Sequence, residues 1–179
     1  FLETLVNNDI VALNDLKNSI SPEAIEQAVT LLQEAETIYV LGQLRSFSVA
    51  YNIRYLLLYL RQNVRLLDGS GGLATEEAEL MSEKSLLVAV SFRYYAREVV
   101  DIVEGTARKN IPILAITDSQ LSPLNKHATC SLVVPGAGHK FSYSLGASMC
   151  LAQSLIISMA SRLQIEGSEE KLNPQDLLG

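Results

Sequence analysis

Positive charge and cysteine are both scarce in this sequence. Its 179 residues contain 14 lysines and arginines against 20 aspartates and glutamates, and the formal net charge at pH 7 is −6. Nucleic-acid phosphates demand a basic protein surface, so this composition argues against direct binding of DNA or RNA by the segment itself. It favours a small molecule or another protein as the partner.

The sequence has two cysteines and no long uninterrupted apolar run. Cys130 and Cys150 both lie in apolar stretches and are predicted to be small buried side chains in a reducing compartment, not a disulfide pair. The most apolar stretch, residues 141–163, is interrupted by several serines and by Gln153, which favours a buried or interfacial helix over a membrane span. We therefore expect a cytoplasmic protein without membrane contact.

Apolar runs of strand length alternate with helical patterns along the chain. Ser21 and Pro22, for example, are typical of an N-cap and a first helical position. Near-continuous apolar strands separated by helices predict a doubly wound α/β domain, a five-stranded parallel sheet with helices on both faces. The predicted strands are 37–42, 64–67, 86–91, 111–117 and 130–134. The predicted helices are 21–35, 46–61, 73–81, 95–109 and 141–163.

Ligands of such a sheet bind outside the carboxyl ends of the strands, where helix N-termini present free amide groups. The loop after the first strand, "GQLRSFS", places Gly42 in the turn and Arg45, Ser46 and Ser48 at the start of the next helix. These groups suit an anion, although Ser46 alone is equally typical of a helix N-cap. The four candidate loops are 42–48, 68–72, 91–95 and 118–122.

The loop after the third strand repeats this arrangement. Ser91 ends the strand and Arg93 follows it, so we expect the first and third loops to face one another. An arginine directly after a buried strand is unusual unless an acidic partner is near, and this suggests an acidic ligand. The alternatives are a solvated Arg93 and a packed aromatic pair of Tyr94 and Tyr95.

The remaining candidates are weaker. Asp118 and Ser119 are predicted to cap the helical turn that Pro123 enters, and Ser119 is also a candidate ligand contact. Of the two histidines, His127 is expected to be exposed, and His139, next to Lys140, has no role that the sequence assigns. The glycines of "DGSGG" allow a close backbone approach to a ligand. No metal-ligand spacing is present, and no cofactor is expected.

Three stretches together resemble the sugar isomerase (SIS) domain of RpiR-type transcriptional regulators. "IYVLGQLRSFSVA" resembles the GxGxS loop of that family, with Gly42 and Ser46 in register and Leu44 in place of the second glycine. "AITDSQLSPL", followed by an apolar strand, resembles the regulators more than the isomerase enzymes. The match extends over about residues 22–163.

"VSFRYYARE" resembles the SxSGxTxE segment of the family. Ser91 and Glu98 are kept, whereas Arg93 replaces the second serine, Tyr94 the glycine and Ala96 the threonine. Two hydroxyl groups that this family pattern offers to phosphate are therefore missing. A guanidinium group binds phosphate and carboxylate equally well, so the expected ligand is either a sugar phosphate or a sugar acid.

The resemblance implies a flavodoxin-like domain that binds a phosphorylated sugar between the first and third loops, associates with itself and follows an N-terminal helix-turn-helix domain. Residues 1–20 are then a helix or linker from that missing domain, 21–164 the effector-binding domain and 165–179 a polar tail. DNA would be bound only through the missing domain. We expect a homodimer or homotetramer, because the N-terminal helix and the last helix are both strongly apolar. The apolar residues of the N-terminal helix are Leu2, Leu5, Val6, Leu13 and Leu16.

These observations favour a non-enzymatic module that senses an anionic carbohydrate derivative for a regulator of carbohydrate metabolism. The alternative is an aldose-ketose isomerase of sugar phosphates, which needs a base beside the substrate. A third possibility is a structural dimerisation domain that keeps an unused pocket. The candidate bases are Glu76, Glu77, Glu79, Glu98 and His139, none of which lies in a motif that identifies it as a base.

Overall fold

The computed structural model of the chain describes residues 1–136, 138–139 and 142–166. Its helices are α1 (Leu2–Ser19), α2 (Pro22–Glu34), α3 (Ser46–Tyr59), α4 (Ala74–Glu79), α5 (Arg97–Arg108) and α6 (Gly146–Glu166). Its strands are β1 (Thr37–Gly42), β2 (Val64–Leu67), β3 (Ser85–Ser91), β4 (Ile113–Thr117), β5 (Cys130–Val133) and the two-residue strands β6 (Gly138–His139) and β7 (Ser142–Tyr143).

The five longer strands form one parallel sheet in the order β2-β1-β3-β4-β5. From β1 the chain first adds β2 on one side of the sheet, and then adds β3, β4 and β5 on the other side. The strand order therefore reverses between β1 and β3. This is the flavodoxin-like arrangement that the sequence predicts, and the strand bounds agree with the predicted ones to within two residues. In such sheets the reversal opens a crevice at the carboxyl ends of the two central strands.

Alternating residues of each central strand pack against helices on opposite sides of the sheet. Val40 and Val88 belong to a core shared with α1, α2, α3 and α6, whereas their neighbours Leu41 and Ala89 pack with α4 and α5. All seven residues of β3 are buried, as expected for a strand covered on both faces. The predicted two-sided coverage of the sheet is confirmed.

Two helix starts show how local polar groups set the bounds. Ser21 Oγ accepts the backbone N–H of Ala24 at 3.2 Å, and Pro22 occupies the first helical position, as predicted. The last helix begins at Gly146 and not at residue 141. Its start is fixed by Ser144, whose Oγ accepts the N–H of Gly146 at 3.1 Å, after the short antiparallel pairing of β6 with β7.

The last helix is covered within the chain, contrary to the expectation that a partner must cover it. Leu151, Leu155 and Met159 are buried in the core that α6 shares with α1, α2 and α3. For α1, coverage by a partner stays a prediction. Leu16 is buried, but the other four apolar residues predicted for this helix are exposed.

Both cysteines are free thiols, as predicted. Cys130 is buried at the start of β5, and burial raises the pKa of its thiol. Cys150 is exposed, so the prediction that it is buried is wrong; it lies on the outward side of α6, where the Ser154 hydroxyl donates to its carbonyl oxygen at 2.8 Å. Over the described residues, no helix is both long and apolar enough to cross a membrane.

Candidate functional site

The candidate site lies at the carboxyl ends of β1 and β3, where the strand order reverses. Gly42 and Val90 are register partners, so the loops that follow these two strands start side by side. The first loop leads into α3 on one face of the sheet, and the second leads into α5 on the other. Two helix N-termini with free amide groups therefore flank one crevice, an arrangement that attracts anions.

Gly42 is required by the close approach of α3 to the end of β1. A Cβ atom on Gly42 would lie 2.8 Å from both the Cβ of Ala50 and the carbonyl oxygen of Ser46. A Cβ atom almost never lies within 3.0 Å of a non-bonded heavy atom, so a side chain at this position would push the first turn of α3 away from the sheet. The glycine thus sets the position of the α3 N-terminus.

Ser46 is the first residue of α3 and is buried, whereas Ser48 in the same turn is exposed. The N-cap position is occupied by Arg45 without a side-chain cap, so the alternative role of Ser46 as an N-cap is wrong. Ser91 is also buried, at the end of β3. Within the described part of the chain, neither the Ser46 nor the Ser91 hydroxyl has a hydrogen-bond partner, and neither is sealed from solvent.

Arg93 is exposed in the β3–α5 loop. Its guanidinium carbon lies 5.8 Å from the ring centroid of Tyr94, a cation–π contact. No carboxylate of residues 1–136 forms a salt bridge with it. The positive charge of Arg93 is therefore present at the crevice without an acidic partner from this part of the chain.

Asp118, at the end of β4, is the acidic residue that contacts this loop. Its Oδ2 accepts the backbone N–H of Arg93 at 2.9 Å, and its Oδ1 accepts the hydroxyl of Tyr95 at 2.9 Å. Desolvation, together with the hydrogen bond to Asp118, raises the pKa of Tyr95. Tyr95 thus turns inward while Tyr94 is exposed, and the two rings do not form the packed pair considered above.

The prediction that Asp118 caps the following helical turn is therefore wrong. That turn, a 3₁₀ helix over Pro123–Lys126, is capped by Ser122, whose Oγ accepts the N–H of Leu124 at 3.4 Å. Ser119 Oγ instead accepts the N–H of Leu121 at 3.1 Å within its own turn. The predicted cap lies three or four residues too early because Asp118 and Ser119 are both strong cap formers.

Gln43 and Glu98 connect the two loops across the crevice, a contact that sequence reasoning missed. The Gln43 side-chain amide donates a hydrogen bond to the Glu98 carboxylate in the first turn of α5. The candidate base nearest the crevice therefore has a protein partner. Gln43 also lies beside Gly69 in the loop after β2, whose fold is fixed by a 2.8 Å bond from the Ser70 N–H to Asp68 Oδ1.

The other candidate bases do not converge on this crevice. Glu76, Glu77 and Glu79 are exposed on α4, and Glu79 pairs with Lys109. The side chain of His139 and the whole of Lys140 lie outside the described residues. His127 is partly buried after the 3₁₀ turn, whereas exposure was expected. Among the described residues no group of three metal-binding side chains occurs.

Leu44 and Tyr94 have positive φ angles, 54° and 73°. They occupy the two positions at which the family pattern has glycine and this chain has another residue, one in each loop. Bulky residues rarely adopt this left-handed conformation, because the Cβ atom crowds the backbone. Both loops thus keep a glycine-type backbone although neither has the glycine.

Comparisons with known proteins agree with this geometry. A family model of the SIS domain matches residues 31–158. The sugar isomerase domain of an RpiR transcription factor from Sphaerobacter thermophilus is 30% identical, with a TM-score of 0.84 and 88% of each chain covered.

Two further solved structures share the fold. The Vibrio vulnificus NanR protein complexed with ManNAc-6P is 20% identical, with a TM-score of 0.79 over 94% of this chain and 70% of that one. A putative sugar-phosphate isomerase from Listeria monocytogenes is 14% identical, with a TM-score of 0.77 over 91% of this chain and 88% of that one.

The curated relatives include a protein called Bifunctional protein glk from Burkholderia thailandensis, 27% identical over 129 residues. This alignment covers 72% of the chain but 20% of the relative's length.

Proposed function

We propose that this chain, which belongs to the SIS domain family and resembles its RpiR-type regulators, is an effector-binding domain. The complete protein would be a transcriptional regulator of carbohydrate metabolism. The effector is an anionic carbohydrate derivative that binds in the crevice between β1 and β3. The observation that carries this proposal is that, among the described residues, Arg93 has no acidic partner and the hydroxyls of Ser46 and Ser91 have no hydrogen-bond partner, in the two loops that lead into α3 and α5.

In the proposed complex, these three residues contact the anionic end of the effector. Gly42, Arg45, Ser48, Tyr94 and Ser119 lie around it. The dipoles of α3 and α5 favour negative charge at this place, and Arg93 adds a full positive charge. The sugar phosphate bound to NanR supports a phosphorylated sugar, while the exchange of a serine for Arg93 equally supports a sugar acid.

A thermal-shift screen tests the proposal. The panel contains hexose 6-phosphates, ManNAc-6P, and aldonic and uronic acids. A ligand that binds only the folded state raises the unfolding temperature in a concentration-dependent manner. The proposal expects such a shift from an anionic sugar and none from the matching neutral sugar. Equal shifts with neutral and anionic sugars would contradict it.

The pH dependence of binding then separates phosphate from carboxylate. A phosphate monoester loses its second proton near a pKa of about 6, whereas arginine stays charged throughout. Affinity for a sugar phosphate should therefore increase between about pH 5 and pH 7. Affinity for a sugar acid, already ionised at pH 5, should stay constant over this range.

We propose that the domain is not an enzyme. Isomerisation requires a base beside the substrate. Among the candidate bases, Glu98 is hydrogen-bonded to Gln43, and Glu76, Glu77 and Glu79 lie exposed on α4, so no described carboxylate is identified as that base. The alternative is a sugar-phosphate isomerase, which the fold shared with the Listeria protein keeps open. Incubation of the domain with aldose phosphates, followed by proton NMR, distinguishes the two. Ketose formation that Glu98→Gln abolishes would establish the enzyme.

The same proposal includes self-association and action on DNA through a helix-turn-helix domain N-terminal to α1, in the cytoplasm. One surface supports self-association: a stripe of apolar side chains along the outer face of α3 and the loop that precedes it, each between 37% and 80% exposed. Its rings pack in pairs, with centroids of Phe47 and Tyr51 5.9 Å apart and those of Tyr55 and Tyr59 4.9 Å apart. We call Leu44, Phe47, Tyr51, Tyr55, Leu58 and Tyr59 the α3 stripe.

The area of the α3 stripe fits a second copy of the chain. Aromatic side chains bury about 150–250 Å² each, so these exposures correspond to roughly 600 Å² per chain. Two copies that pack stripe against stripe would bury about 1,200 Å², the lower limit of a stable interface. A stripe along one helix is complementary to itself about a twofold axis perpendicular to that helix.

A further inference from the structure

We propose that Asp118 is a positioning residue of the effector site, which holds the β3–α5 loop in the conformation that presents Arg93. This inference rests on the proposed function in one respect, the role of Arg93 as a ligand contact. The conformational part stands on the structure of the loop alone.

The Asp118 carboxylate binds the loop on both sides of Tyr94. One oxygen accepts the N–H of Arg93 and the other accepts the hydroxyl of Tyr95, each at 2.9 Å. The residue between these two anchors has the left-handed φ of 73°. The carboxylate therefore holds the backbone immediately before the unfavourable residue and the side chain immediately after it.

Tyr94 itself contributes little to hold this conformation. Its side chain is 78% exposed, and its ring contacts the exposed guanidinium group of Arg93. A tyrosine in the left-handed region is disfavoured by the crowding of its Cβ atom, which glycine lacks. Without the two hydrogen bonds, Tyr94 would relax to a negative φ and reorient the peptide that carries Arg93.

Asp118 is itself held rigidly, as a positioning residue must be. It directly follows Thr117, which is fully buried, pairs with Ser91 in the sheet and donates its hydroxyl to the Ser91 carbonyl oxygen at 2.8 Å. The end of β4 is thereby fastened to the end of β3. Asp118 therefore connects the loop to a fixed point of the sheet. The loop needs this connection because Tyr94 stands where the family pattern has glycine.

The test combines Asp118→Ala with Tyr94→Gly, because glycine removes the conformational cost that Asp118 offsets. Inorganic phosphate is the probe, and its affinity is measured from amide chemical shifts in NMR spectra. Asp118→Ala should weaken phosphate binding by about five- to thirtyfold, the factor by which the competent loop is depopulated. The phosphate affinity of the double variant should lie within about threefold of that of Tyr94→Gly alone.

Asp101→Ala is the matched control, since Asp101 is an exposed acid that pairs with Arg97 on α5. It should leave phosphate affinity unchanged within about twofold. If the double variant binds phosphate as weakly as Asp118→Ala, the loss is not conformational and the inference is wrong. Loss of a negative charge alone favours phosphate binding, so a control that loses as much affinity as Asp118→Ala would reveal a general structural effect of such substitutions and would also overturn the inference.

Hydrogen exchange of the Arg93 amide separates this inference from the proposed function. The amide should be protected in the natural chain and exchange at least about tenfold faster in Asp118→Ala. Equal exchange rates would refute the positioning role, whatever the ligand. If exchange accelerates as expected but the natural chain binds no phosphate, the positioning role stands and the proposed anion site fails.

Discussion

Leu44 and Tyr94 occupy corresponding positions in the two loops of the crevice, and both have left-handed backbone angles. Each is strongly exposed, so neither is driven into this conformation by burial of its side chain. Residues in unfavourable backbone regions cluster at functional sites, where the surrounding structure enforces them. Arg61 and Asn110 also have positive φ angles, of 55° and 56°, but they follow the ends of α3 and α5, whereas Leu44 and Tyr94 lie in the two loops of the crevice.

This conformation predicts that Leu44→Gly does not destabilise the protein. Relief of the unfavourable backbone should outweigh the extra freedom of glycine in the unfolded chain, for a gain of up to about 1 kcal/mol in the free energy of unfolding. Leu80 is the control, since it is also exposed but has an ordinary φ of −77°. Leu80→Gly should lower the free energy of unfolding, measured by urea denaturation, by about 0.5–1 kcal/mol. Equal losses at both positions would contradict this account.

Gly42→Ala should be damaging because its Cβ atom would overlap Ala50 and the Ser46 backbone. We expect a loss of about 1–3 kcal/mol in unfolding free energy, together with displacement of the α3 N-terminus. Gly105→Ala is the control within a helix, where the nearest atom to the added Cβ is 3.6 Å away on the flexible side chain of Arg108. That change should stabilise the protein by about 0.5–1 kcal/mol. A harmless Gly42→Ala would show that α3 does not require its close approach to β1.

The α3 stripe predicts that a charge at its centre prevents self-association. Tyr55→Glu should raise the dimer dissociation constant by about a hundredfold or more, since central aromatic residues dominate interfaces and the change occurs twice in a symmetric dimer. Val6→Glu places the same charge on the exposed face of α1, which is the other apolar surface. Analytical ultracentrifugation should then still show the dimer. Dissociation by Val6→Glu alone would locate the interface on α1 instead.

Tyr95 predicts a specific dependence of stability on pH. The pKa of Tyr95 is raised in the folded state, so the neutral phenol stabilises the fold fully below its ordinary pKa of about 10. This stabilisation is lost as the pH rises through the folded-state pKa. At pH 8 we expect Tyr95→Phe to be less stable by about 1 kcal/mol, the usual value of one hydrogen bond. Above pH 10 the difference between the two proteins should shrink. A difference that stays constant to pH 11 would contradict the hydrogen bond to Asp118.

Periodicity and turn chemistry predicted the sheet, its strand bounds and the pair of loops at its centre, because these depend on local patterns of apolar residues and caps. The long-range contacts were not predictable in this way. Asp118 binds residues 25 and 23 positions earlier in the chain, and Gln43 binds a residue 55 positions later. The left-handed backbone at Leu44 does not follow from its residue type or its neighbours, and the glycine of the family pattern at this position is the one sequence signal that points to it.

Arg93 provides the most direct test of the central claim, that an anionic sugar binds between β1 and β3. Arg97 is the matched control, because it lies four residues away and its side chain is 94% exposed. The decisive measurement is calorimetric titration of the natural chain, Arg93→Ala and Arg97→Ala with the anionic sugar that gives the largest thermal shift. Loss of a charge-assisted hydrogen bond should weaken binding to Arg93→Ala by about ten- to a hundredfold, while Arg97→Ala stays within about twofold of the natural chain. An unchanged dissociation constant in Arg93→Ala, or no binding of any anionic sugar to the natural chain, would contradict the account.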